Sequence, residues 1–107
     1  MRFGPAGNAE RFYAEGLKAS VQAPEWLAAQ GLTAYEYPFG RGVSLSDDTA
    51  AAIRAQAEKW GIAVSVHAPY FINLANPDTE KREASYRYIL DAAQKAAALG
   101  GRRVVVH

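Results

Sequence analysis

The fold is decided by the stretch IAVSVH at residues 62–67. Its small and β-branched residues are typical of a strand buried in a parallel sheet. A loop follows at residues 68–78, and a helical pattern then extends from about Thr79 to Leu99. Two glycines end that helix, and the stretch RRVVVH at residues 102–107 begins another strand. The order of strand, loop, helix and strand indicates a β/α unit.

A second unit precedes this one. Residues 34–39, AYEYPF, are β-prone, and the helix after them is capped by Ser46 and ended by Gly61. The spacing of Ile53, Ala57 and Trp60 predicts that these residues form its buried stripe. In the later helix, we expect the apolar face to consist of Tyr86, Ile89, Leu90, Ala93 and Ala97.

The first unit is the shortest. Residues 2–4, RFG, predict a short strand, and the Gly- and Pro-containing residues 5–8 predict a turn. Pro24 favours the first turn of a helix that ends at Gly31. Three and a half β/α units therefore predict an α/β fold with a parallel sheet.

The number of units indicates only part of a barrel. A complete (β/α)8 TIM barrel takes about 250 residues, and this chain has 107. We expect residues 1–107 to be one partial domain, the N-terminal half of such a barrel, truncated at the end of its fourth strand. Its open sheet edges predict pairing with a second copy of the chain, a homo-oligomer.

Composition restricts the function classes. The absence of cysteine excludes disulfides and thiolate metal sites, so a metal here needs His, Asp, Glu or water as ligands. A net charge of +1 disfavours a dedicated DNA-binding module but leaves open an enzyme with a local basic rim. Neither a signal peptide nor an apolar run of about 20 residues occurs, so we expect a cytoplasmic protein without membrane contact.

Both histidines of the chain, His67 and His107, end an apolar strand. The carboxyl ends of the strands form the active-site face of a β/α barrel, and neighbouring strands lie about 4.8 Å apart. Two such histidines can converge on one metal ion. A strand-end histidine also commonly serves as a hydrogen-bonded structural residue, and the pattern alone leaves both interpretations open.

A sequence resemblance favours the interpretation that the two histidines bind a metal ion. The loop HAPYFINLANPD at residues 67–78 resembles the His-x-x-Tyr-x-x-Asn-Leu loop of endonuclease IV, a family of AP endonucleases. The helix that follows, with VVVH at residues 104–107, is similar to that family's next helix and His-bearing strand. The match covers about residues 62–107. The earlier residues look closer to a divergent branch or to the sugar-isomerase-like relatives.

The resemblance implies that His67 and His107 bind the same zinc of a three-metal cluster, whose other ligands, including a bridging Glu, lie beyond residue 107. It implies phosphodiester hydrolysis 5′ to abasic sites in DNA by an intact parent enzyme, for which such a cluster is suited. We expect the 107-residue chain itself to be inactive. The alternative is a sugar isomerase or epimerase on the same barrel, using one divalent metal.

The same resemblance points to residues that contact the substrate. Tyr70 matches a residue that enters the DNA at the damaged site, with Phe71 beside it, although Tyr70 can also pack under its own loop. Arg41 follows the second strand, where the family has a DNA-contacting Arg, but a solvated loop Arg is an equal alternative. Asn8 is a candidate by its position alone, because it follows the first strand on the same face of the barrel, where it can touch substrate or form a turn. Glu36 can point into the barrel or be a satisfied polar residue.

Overall fold

The computed structural model describes all residues from 1 to 107, and helices alternate with strands along them. The elements are α1 (Glu10–Ala14), a 3-10 turn (Ser20–Gln22), α2 (Ala23–Ala29), β1 (Ala34–Pro38), α3 (Asp47–Trp60), β2 (Ala63–His67), α4 (Thr79–Ala98) and β3 (Val104–Val105). The predicted β/α units are confirmed. The two short elements before α2 were not predicted.

The three strands form one parallel sheet in the order β1-β2-β3. Glu36 lies opposite Ser65, Pro38 lies opposite His67, and Val105 of β3 lies opposite His67 on its other side. This register brings the carboxyl ends of all three strands to one edge of the sheet. The predicted parallel arrangement is therefore confirmed.

The N-terminal segment extends this sheet on the other side of β1. The carbonyl of Phe3 accepts a hydrogen bond from the Ala34 amide, and Gly7 donates one to the Glu36 carbonyl. A single parallel bridge, Ala6 to Glu36, marks the pairing. Gly4 permits the close approach, because a Cβ there would lie 1.6 Å from the Ala34 oxygen. The strand predicted at residues 2–4 is therefore not formed as a regular strand; the segment instead pairs with β1 through these hydrogen bonds and the single bridge at Ala6.

The long helices begin and end at residues with specific capping chemistry. The Ser46 side chain accepts a hydrogen bond from the Thr49 amide at 3.2 Å, and Gly61 ends α3 in the left-handed conformation at φ 69°. Both predicted ends of α3 are confirmed. The Asp78 carboxylate caps α4 by accepting from the amides of Glu80 and Lys81.

The hydrophobic core lies between the helices and one face of the sheet. Val64 and Val66 of β2 are buried there, together with Ile53 and Ala57 of α3. The alternate residues of β2 are only half-buried, because no element of this chain covers the second face. The sequence had predicted a strand buried on both sides, and only one side is covered in this structure.

The predicted buried stripe of α3 is confirmed at Ile53 and Ala57 and wrong at Trp60, and the predicted face of α4 is wrong. Trp60 is 37% exposed, because it occupies the last position of α3 and its indole NH donates to Gln56 on the surface. In α4, the residues predicted to be buried are exposed or half-buried, and the helix instead buries a stripe of small residues: Ser85, Ala92 and Ala96. Small side chains let the helix axis lie close to the sheet, which the spacing of the larger residues did not indicate.

Candidate functional site

The two histidines meet at the carboxyl edge of the sheet. His67 is the last residue of β2, and His107 follows β3 by two positions on the same face, because Val105 lies opposite His67. Their ring centroids are 4.7 Å apart, with 33° between the ring planes. The imidazole of His67 is half-buried, whereas that of His107 is exposed. The structure therefore brings the two candidate ligands into contact.

The backbone fixes the orientation of the His67 ring. Its Nδ1 lies 2.8 Å from the Ala68 carbonyl oxygen. A carbonyl can only accept a hydrogen bond, so Nδ1 is the donor in the neutral imidazole and Nε2 keeps its lone pair. Histidines that bind metals typically donate their other ring nitrogen in this way. The arrangement of His67 fits a metal ligand.

The chain does not bring a third ligand to this pair. No group of three or more His, Asp or Glu side chains is close enough to hold a metal ion together. Glu36 shares the inner face of the sheet, but it lies opposite Ser65, which precedes His67 by two residues on β2. Two residues along a strand span about 6.6 Å. Glu36 is thus placed deeper in the sheet than the two imidazoles.

Aromatic residues line the loop beside the histidines. Tyr70 is 71% exposed, so the alternative that it packs beneath its own loop does not hold. Phe71 contacts the Tyr70 ring edge-on at 5.6 Å and the Tyr88 ring of α4 at 4.9 Å. Tyr88 therefore supports Phe71, and Phe71 supports Tyr70. The result is an exposed aromatic ring at the loop tip, with its neighbour anchored on the helix.

Hydrogen bonds from side chains to the backbone shape this loop. The Asn73 side chain accepts from the Ala75 amide, and the Asn76 side chain accepts from the Asp78 amide, both at 3.0 Å. The Ser85 hydroxyl of α4 accepts from the Asn73 amide at 3.0 Å and ties the loop to the helix. Both asparagines therefore hold the backbone of the loop in place ahead of α4.

Arg41 and Asn8 lie outside this cluster. Arg41 is exposed in the turn after β1, where Gly42 donates a backbone hydrogen bond to Phe39. The Asn8 side chain is occupied by other protein groups: its oxygen accepts from the Tyr35 hydroxyl at 2.9 Å, and its nitrogen donates to the hydroxyls of Tyr13 and Ser20. In this structure Asn8 therefore belongs to a hydrogen-bond network within the protein.

Burial also affects that network. Tyr35 is almost fully buried, and desolvation raises the pKa of its hydroxyl to about 12. The hydroxyl is protonated at neutral pH, as in any tyrosine, and it donates to the Asn8 side-chain oxygen. This contact fastens the N-terminal turn against β1.

Sequence reasoning missed Tyr88 and Ser85, which hold the aromatic loop in place. Both lie on the side of α4 that faces the loop, three residues apart, which is the spacing of neighbours on one helix face. Ser85 is 5% exposed although it is polar. A polar residue among small apolar ones at helical spacing was the available signal.

None of the helices has the length and apolar character needed to cross a membrane.

One curated relative matches most of the chain. It is the "Probable endonuclease 4" of Symbiobacterium thermophilum, 32% identical over 95 residues. The match covers 84% of this chain and 34% of that protein. The first curated relatives are covered over only 14% to 34% of their length, so the chain spans about a third or less of each.

Two solved structures superpose on almost the whole chain. Endonuclease IV from Thermus thermophilus is 30% identical, with a TM-score of 0.72, and the match covers 100% of this chain and 40% of that one. A D-psicose 3-epimerase, solved in the presence of D-fructose, is 20% identical, with a TM-score of 0.74, and the match covers 99% of this chain and 37% of that one. The second likeness shows the fold alone. Together they confirm that these units have a TIM-barrel arrangement.

The sequence model of one family covers most of the chain. The family is described as the xylose isomerase-like TIM barrel, and the match extends over residues 24–107. That range includes all three strands, the aromatic loop and both histidines. The chain therefore belongs to the xylose isomerase-like TIM barrel family.

Proposed function

We propose that this chain forms the first three and a half β/α units of a zinc-dependent AP endonuclease, which hydrolyses the phosphodiester bond 5′ to abasic sites. The observation that carries the proposal is the contact of the His67 and His107 rings at 4.7 Å, beside the exposed Tyr70. Relatives named endonuclease 4, and an endonuclease IV structure 30% identical over the whole chain, support it. The cytoplasmic location stays a prediction.

His67 and His107 are the proposed zinc ligands. The donor set fits, because imidazole nitrogen is a common zinc ligand and Nε2 of His67 is left free by the bond from Nδ1 to the Ala68 carbonyl. Zinc bound in the intact parent would supply Lewis-acid chemistry for phosphodiester hydrolysis. The two histidines of this chain would hold it at the carboxyl edge of the sheet, and the remaining ligands would come from other parts of the parent.

Abasic-site DNA is the proposed substrate. Tyr70 is exposed, and its ring is braced by Phe71, which itself packs on Tyr88. A braced aromatic ring can enter a base stack where a base is missing without losing much side-chain freedom. Arg41 is a weaker proposal for a phosphate contact, because its turn lies after β1 and its side chain extends into solvent.

A sugar isomerase or epimerase is the second candidate function. Glu36 on the inner face of the sheet favours it, because acids in that position can bind a divalent metal or a sugar hydroxyl. The epimerase likeness concerns the fold. The aromatic loop favours the endonuclease, because its His-x-x-Tyr-x-x-Asn-Leu pattern at residues 67–74 resembles the loop of that family.

The isolated chain is expected not to cleave DNA. With zinc and a duplex that contains one abasic site, a denaturing gel should show no incision above the protein-free control. The physical reason is that two imidazoles leave a zinc ion half-coordinated, and hydrolysis by such a cluster requires further metal ions. Strong incision 5′ to the abasic site by the purified chain would contradict this expectation.

A chimera tests the function itself. Residues 1–107 would replace the matching part of the Thermus thermophilus enzyme, so that the other barrel units supply the missing ligands. We expect incision 5′ to the abasic site, and we expect His67→Ala to abolish it. Lys59→Gln, at the carboxyl end of α3 where β2 begins, lies at the opposite end of the sheet and should leave the incision unchanged. A folded chimera that binds zinc but does not cut abasic DNA would count against the endonuclease proposal.

Pairing of two copies through the open sheet edges is also proposed. The edge at β3 carries Val105 and Val106, and the opposite edge carries Phe3, all of them exposed. Unpaired edges of this kind favour association with another strand. We expect size-exclusion chromatography with light scattering to give a mass of a dimer or larger, twice the 11.6 kDa of one chain or more. A well-folded monomer at high concentration would exclude this proposal.

A further inference from the structure

A cavity lies at the amino end of the strands, at the opposite end from the histidines. Its volume is about 340 Å³, within the roughly 300–1,000 Å³ range of small-molecule sites. Its charged lining consists of Arg2, Arg54, Arg102, Arg103 and Glu58. Four arginines and one glutamate give the cavity a formal charge of +3, whereas the whole chain carries +1. The cavity lining is therefore more positive than the chain as a whole.

The local backbone builds the cavity wall. Gly100 lies under the Arg54 side chain, where a Cβ would come within 3.1 Å of the Arg54 Cγ. At Gly101 a Cβ would lie 2.7 Å from the Val64 oxygen. These two glycines therefore allow Arg102 and Arg103 to follow the start of β2 closely, with Arg54 lying across the turn.

Two of the guanidinium groups are already oriented. Arg2 donates from Nη1 to the carbonyls of Thr33 and Gly61, both at 3.3 Å, and Arg54 pairs with Glu58 at 2.9 Å. Each guanidinium has five N–H donors, so both keep donors for a ligand. Arg102 and Arg103 are exposed at the cavity mouth.

These arginines have one structural role, which is to neutralise the partial negative charge at the carboxyl ends of helices. Helices α3 and α4 both end at this cavity, and each carboxyl end contributes about half a negative charge. Two helix ends therefore neutralise about one of the three excess positive charges. No other carboxylate in the lining balances the remaining charge, which faces a concave space large enough for a small anion.

We propose that this cavity binds a diphosphate group. Arginine recognises phosphate oxygens through paired N–H donors, and several guanidiniums around one cavity match two linked phosphates better than one. The cavity is too small for a nucleic-acid duplex. Inorganic diphosphate and a nucleoside diphosphate share this chemistry, and the experiment separates them. The site is distinct from the proposed zinc site, so it does not depend on that function.

Isothermal titration of the 107-residue chain with inorganic pyrophosphate tests the proposal. We expect pyrophosphate to bind about tenfold or more tightly than orthophosphate, and the affinity to fall as sodium chloride is raised. Arg103→Gln should weaken binding about tenfold, by loss of charge-assisted hydrogen bonds. Glu58→Gln should strengthen binding several-fold, because it removes the one carboxylate of the cavity and leaves the four arginines.

The matched control is Arg11→Gln, which removes a positive charge from α1, outside the cavity. We expect its affinity to stay within about twofold of the original chain, since exposed distant charges are screened. A nucleoside diphosphate that binds more tightly than pyrophosphate would identify a nucleotide as the ligand, and equal affinity would identify the diphosphate alone. Absence of binding, or equal losses in Arg103→Gln and Arg11→Gln with unchanged circular dichroism, would overturn the proposal.

Discussion

Replacing Leu27 with alanine is expected to lower the free energy of unfolding by about 2–5 kcal/mol. Leu27 is 1% exposed in α2 and belongs to the same core cluster as Phe12 and Ile53. Removing its branched end leaves a cavity that the neighbouring helices can fill only in part. Since small domains have about 5–15 kcal/mol of stability in total, the loss is a large fraction of it. Urea denaturation followed by circular dichroism measures it.

Leu90→Ala is the matched control, with the same chemical change on α4. Leu90 is 62% exposed, so we expect a change within about 0.5 kcal/mol. Alanine also has the higher helix propensity, which offsets part of any lost contact. The pair tests the corrected face of α4, because the spacing of apolar residues had predicted that Leu90 is buried. Equal destabilisation by both substitutions would mean that the exposed face of α4 is covered in solution.

The order of the elements could be predicted because its signals are local. The Ser46 cap, the Gly61 end of α3 and the β-branched run before His67 each act within a few residues, and the structure has all three. The short helix α1 was missed because five residues give too little periodicity to detect. Its core contact, Phe12, depends on packing against residues that are distant in the sequence.

The buried face of α4 could not be predicted for a different reason. Apolar residues surround much of this helix, so the spacing alone does not select one stripe. What selects the stripe is the distance to the sheet: Ala92 and Ala96 allow α4 to approach β2, and larger residues would hold it away. Shape complementarity between the helix and the sheet decides which face of α4 is buried. The sequence of the helix alone does not contain that information.

The position of the candidate site could be predicted, but the residues that support it, Ser85 and Tyr88, could not. Parallel strand order and matching strand ends were enough to expect His67 and His107 at one edge, and the resemblance supplied the metal. The arginine cavity was not predicted, because its charged residues come from three separate segments, near residue 2, at residues 54–58 and at residues 102–103. Only the folded chain brings them together.

The second large effect concerns zinc. The 107-residue chain is expected to bind zinc weakly, and His67→Ala is expected to reduce the affinity by about tenfold or more. Removing even a residue that only orients a metal ligand costs about 10–100-fold in affinity, and His67 is proposed as a ligand itself. Competition with a chromophoric chelator at constant pH measures the change, and nuclear magnetic resonance of the imidazole protons shows which ring binds.

Two further variants make the zinc result specific. His107→Ala should reduce the affinity as much as His67→Ala, because each ring would donate one nitrogen to the same ion. The two ring centroids are 4.7 Å apart. Glu36→Gln should leave it unchanged, since Glu36 lies deeper in the sheet, opposite Ser65. If Glu36→Gln weakens zinc binding and the histidine variants do not, the metal is bound by the acid, and the sugar isomerase becomes the better interpretation of this barrel.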